Sequence, residues 1–103
     1  MTSRAVQELA TELEDHGSSR ANFRNLSDND RYRVARVLVI ARSQANASNA
    51  NFDNQRFRWH MHRKKEEYFY VCGDVGIDWD EASGIWWSVV YGGVAPVDRG
   101  YKI

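Results

Sequence analysis

Apolar residues recur at two different periods along this chain, and the change falls near its middle. In residues 3–16, Val6, Leu9, Ala10 and Leu13 keep the i, i+3, i+4, i+7 spacing that lays one apolar stripe along a helix. Ser3 stands where an N-cap belongs and Gly17 where a helix ends, and His16 beside the last carbonyls reads as a helix-end residue. Residues 28–45 repeat the pattern with Val34, Val37, Leu38, Ala41 and Ala45, behind Ser27 and Asp30 as a capping pair. The spacing predicts two N-terminal helices, followed by a loop over 46–55, which is rich in Asn, Ala and Ser.

Beyond that loop the period shortens to two. Phe57, Trp59 and Met61 alternate with Arg56, Arg58, His60 and His62; further on, Phe69, Val71, Val75, Ile77 and Trp79 keep odd positions while Tyr68, Tyr70, Cys72, Asp74 and Asp78 keep even ones. Successive strand residues point to opposite faces, so this alternation predicts strands at about 56–62 and 67–79, with His62 opposite Glu66 and a bend at Gly73 and Gly76. A third strand is expected at about 85–92 and a short edge strand at 94–97, limited by Pro96, with Tyr101 and Ile103 able to dock beyond it. The expected fold is therefore a single α+β domain over 1–103. Its order is α-α-β-β-β: two N-terminal helices packed on one face of a bent three- to four-stranded antiparallel sheet. The other sheet face would carry Arg58, His60, His62, Tyr68, Tyr70, Trp86 and Val90.

Composition narrows the setting. At 103 residues and 43% hydrophobic content the chain can bury a core without disulfides or metal. Its one cysteine, Cys72, has no internal partner, and no apolar run approaches a membrane span, which predicts a cytoplasmic protein. The formal net charge is zero, against the basic excess of dedicated phosphate binders. That zero hides a split. Arg56, Arg58, Arg63, Lys64 and Lys65 form a basic block, and Glu66, Glu67, Asp74, Asp78, Asp80 and Glu81 form an acidic block after it.

One local pattern points to metal chemistry. His60-x-His62-x-x-x-Glu66, on a hairpin, would put two imidazoles on one strand face with a carboxylate opposite, a donor set suited to a divalent transition metal. These residues, with Gly73 and the run Glu67 to Asp78, resemble the first motif of the cupin family over about a fifth of the chain. The resemblance implies metal binding by His60, His62 and Glu66. Cys72, on the same expected face, is read as packing, with a soft ligand or a reactive thiol as the alternatives.

No nucleophile with its base stands out, so the reading is of a non-enzymatic protein with no resident cofactor. The expectation is a small protein-interaction module, an inhibitor or adaptor, binding a protein partner or a second copy of itself. Arg58, His60, Tyr68, Tyr70 and Trp86 would make that contact, because aromatic and arginine side chains dominate interface energetics. The alternatives are nucleic-acid binding through the basic hairpin Arg56, Arg58, Arg63, Lys64 and Lys65, and the cupin-like metal site.

Overall fold

The computed structural model describes residues 3–15, 23–47 and 55–92. The first helix, α1, spans Arg4–Asp15, and the amide of Val6 donates to Ser3 Oγ at 3.3 Å. The second, α2, spans Asp28–Ala47, and the amide of Asp30 donates to Ser27 Oγ at 3.2 Å. Both serines thus satisfy a first-turn donor that the helix itself leaves orphaned. Between the two, Phe23–Asn25 makes one 3-10 turn whose Phe23 is fully buried.

The sheet is absent from the described residues. Gln55–Val75 is one helix, α3, followed by α4 at Trp79–Ile85, which runs on into a π-helical turn, Trp86–Val90. The α+β fold with strands at 56–62, 67–79 and 85–92 is corrected to an all-helical one; the edge strand at 94–97, Tyr101, Ile103, His16, Gly17 and positions 48–54 of the expected loop lie outside the described residues. The reason lies in the core stripe of α3. Met61, Tyr68 and Cys72 are buried together, with Phe57 and Val75 partly buried against the same core. Separations of seven and eleven residues return to one face of a helix but to opposite faces of a strand.

Gly76 and Ile77 end α3. The amide of Ile77 donates to the Cys72 carbonyl at 2.8 Å and that of Gly76 to the Gly73 carbonyl at 3.3 Å, while Gly76 sits at φ +88°. This is a Schellman cap, and its left-handed residue favours glycine. Buried Ile77 supplies the apolar contact that accompanies such caps. The strand bend expected at Gly73 and Gly76 is corrected to a helix stop at Gly76, with Gly73 inside α3.

Packing centres on α2, which touches α1, α3 and the π-helical turn. Its Val34, Ala35, Val37, Leu38, Ala41 and Ala45 meet Val6, Leu9, Ala10 and Leu13 of α1 and the large buried rings of Tyr68 and Trp86 within one cluster. Polar ties reinforce it. Arg31, whose side chain is 11% exposed, donates to the carbonyls of Leu26 (2.9 Å) and Phe23 (3.3 Å) and pairs with Glu14 (3.2 Å) and Asp28. Arg33 reaches Asp74 of α3 at 2.7 Å.

Candidate functional site

One turn of helix advances 3.6 residues, so the face of α3 opposite Met61, Tyr68 and Cys72 is set by its sequence. It carries Trp59, Arg63, Glu66 and Tyr70, at i, i+4, i+7 and i+11, all exposed. Trp59 is 55% and Tyr70 75% exposed. The Arg63 guanidinium lies over the Trp59 ring at 5.2 Å, and the His60 ring meets it edge-on at 4.9 Å. Arg63 makes no ion pair with any described residue, so its charge is open to a partner.

A second strip runs along the neighbouring edge. Trp79, 67% exposed, stacks on Phe69 at 5.7 Å. The Lys65 ammonium lies 6.0 Å from the Phe69 ring and 5.2 Å from Trp87, which stacks on Tyr91 at 5.0 Å. Partial burial lowers the Lys65 pKa. Phe69, Trp87 and Tyr91 of this strip are half-buried and tie α3 to α4 and the π-helical turn, while Trp79 stays open on its outer side.

The structure sorts the residues expected at a contact surface. Tyr70 is open, and Arg58 and His60 are exposed. Tyr68 and Trp86 are not available: they are 0% and 1% exposed, their rings are 5.3 Å apart, and the Tyr68 hydroxyl donates to the Ala82 carbonyl at 2.6 Å. Burial, then the neighbouring Cys72 and Glu81, raise the Tyr68 pKa. Burial likewise pushes the Cys72 thiol up to about 11, against thiolate chemistry near neutrality. Trp59 and Trp79, assigned from their odd positions to a sheet core, are the exposed aromatics that the strand period hid.

The metal pattern changes with the fold. Residues two apart on a helix are separated by about 200° around its axis, so His60 and His62 diverge. His62 Nε2 lies 3.7 Å from Glu66 Oε1, an ordinary i, i+4 pair. No group of three or more His, Cys, Asp or Glu is gathered for a metal among the described residues. The cupin-like reading put these residues on a hairpin, and here they lie on a helix.

The basic hairpin is replaced too. Arg56, Arg58, Arg63, Lys64 and Lys65 fall on one helix and point to several sides of it. Lys64 pairs with Glu67 at 3.1 Å, Lys65 lies between Phe69 and Trp87, and Arg63 lies on Trp59. Asp80 and Glu81 sit in the first turn of α4, where acids suit the positive helix end. No described helix is long and apolar enough to cross a membrane. Comparison with protein-family models, with curated proteins and with solved structures finds no match for this chain.

Proposed function

We propose that this chain is a non-enzymatic protein-recognition module whose contact surface is the outward face of α3. The observation that carries the reading is the pair Trp59 and Tyr70, 55% and 75% exposed on a stripe turned away from the core. Burying a large aromatic side chain stabilises by about 1.5–3 kcal/mol, and a partner that covers these two recovers what the chain alone leaves unused. Arg63 laid on Trp59 adds a planar charge, and tryptophan, tyrosine and arginine are the residues that dominate interface hot spots. A cytoplasmic location belongs to the same proposal, supported by the lone, free cysteine.

The nucleic-acid reading loses its support with the hairpin. Phosphate tracking favours cations gathered along one face, and the five on this helix are spread around it and partly engaged within the chain.

The test is site-specific photo-cross-linking in cells expressing the full chain. A photoreactive residue replaces Trp59, Tyr70 or, as control, exposed Arg36 on α2. Protein adducts from positions 59 and 70 and none from 36 are expected. Equal adducts from all three, no adducts, or nucleic-acid adducts from 59 and 70 would each overturn the reading.

A further inference from the structure

We infer that the occupant of this face is a second copy of the chain, its α3 lying antiparallel to the first across a two-fold axis. This rests on the recognition reading above and names its partner. The outward residues Arg56, Trp59, Arg63, Glu66, Tyr70 and Gly73 are spaced 3, 4, 3, 4 and 3 apart, the spacing at which two helices meet along a seam, with Trp59 and Tyr70 as its aromatic positions. That series is the same in both directions. Turned end for end about the point between Lys64 and Lys65, the seam sets Arg63 against the partner's Glu66, Trp59 against the partner's Tyr70, and Arg56 against the partner's Gly73. A two-fold interface demands such self-complementarity, because each contact must occur twice.

Charge along α3 has the same symmetry. Residues 55–65 hold Arg56, Arg58, Arg63, Lys64 and Lys65 and no acid; residues 66–75 hold Glu66, Glu67 and Asp74 and no base. This opposes the helix dipole, since the first turn has no acid and the last no base. A lone helix is weakened by that order. On the outward stripe that order leaves Arg56 and Arg63 in the basic half and Glu66 in the acidic half, and two antiparallel copies set each Arg63 against the other's Glu66.

Gly73 is the third observation. It is exposed inside a helix, and a methyl group there would meet nothing within 4 Å, so the chain's own packing does not require glycine. Glycine costs up to about 1 kcal/mol relative to alanine inside a helix. Against an antiparallel copy it leaves room for the long stem of the partner's Arg56.

The seam covers about two and a half heptads, a small interface, but both helices are already folded and no helix need form on binding. A weak dimer is expected, weakened further by salt.

The test is sedimentation equilibrium of the full chain from low micromolar to near-millimolar concentration, with circular dichroism to confirm that each variant stays helical. Wild type is expected to pass from monomer to dimer. R63E and E66R alone each set like charges across both seam contacts and are expected to weaken self-association at least about tenfold. An equimolar mixture of the two variants is expected to restore it, since every introduced charge then faces its opposite. A wild type that stays monomeric, or a dimer indifferent to both substitutions, overturns self-pairing. The cross-linking result keeps the two failures apart: a monomer whose positions 59 and 70 still label a different protein overturns only the second copy, and one that labels no protein overturns the recognition reading as well.

Discussion

Helices α2 and α3 are nearly equal in length, 20 and 21 residues, and both carry several arginines, yet they use them in opposite ways. In α2, Arg31 is tied to Glu14, Asp28 and two carbonyls, Arg33 to Asp74, and Arg42 to Glu12 at 3.9 Å, which leaves exposed Arg36 as the one arginine of this helix outside an ion pair with a described residue. In α3, Arg56, Arg58 and Arg63 make no ion pair with any described residue. Six apolar residues of α2 are buried, against Met61, Tyr68 and Cys72 of α3. The contrast teaches where the chain holds itself together and where it has surface to offer. Helix α2 spends its side chains on neighbours within the fold, whereas α3 docks by one stripe and leaves the opposite one open.

The largest expected effect lies on the docked side. Trp86→Ala removes a ring buried against Tyr68 and should cost about 3–5 kcal/mol, read from urea unfolding. A loss below about 1 kcal/mol would contradict its place in the core. A smaller effect is expected at high pH on the same side. Burial raises the Cys72 thiol from 9.0 to about 11, so between those values the folded state holds a proton that the unfolded state has released. Stability is therefore full below about pH 9 and falls toward about pH 11, with the raised Tyr68 phenol extending the decline. The Cys72 share is about 2 kcal/mol across that window. Cys72→Ala should flatten the alkaline slope, and an unchanged slope would remove the thiol from this account.

The open side should respond least. Trp59→Ala and Tyr70→Ala are each expected to change unfolding free energy by less than about 0.5 kcal/mol. A loss of about 2 kcal/mol from either would mean that the outward stripe supports the fold, and the comparison between the helices would collapse.

How much of this was legible in the sequence follows from which separations carry information. In α1 and α2 the apolar residues recur at three, four and seven, and Ser3 and Ser27 mark the starts, which outweighs the β-branched run Val37 to Ile40 that alone would suit a strand. In α3 the eye falls on Phe57, Trp59 and Met61, and on Phe69 and Val71, all two apart. A separation of four, as from Phe57 to Met61, fits both periods because it is even. The deciding pairs are odd: Met61 with Tyr68, seven apart, and Phe57 with Tyr68, eleven apart. Those pairs join the one even-numbered aromatic of α3 that is fully buried to an odd-numbered stripe, which no strand can do. Gly76 was ambiguous for a related reason, since a left-handed glycine serves a bend in a strand and a cap on a helix alike. Of the candidate site, Tyr70 was legible because it is exposed on either reading. Trp59 was not, because its partners Arg63, Glu66 and Tyr70 appear as a stripe only at helical pitch.

The most direct measurement of the central claim is hydroxyl-radical footprinting of the full chain, read by mass spectrometry, across a range of protein concentration. Trp59 and Tyr70 should become protected together as concentration rises, while Trp79, 67% exposed and off the seam, keeps its reactivity. If Trp59 and Tyr70 stay as reactive as Trp79 at every concentration, the outward face of α3 is not where two copies meet.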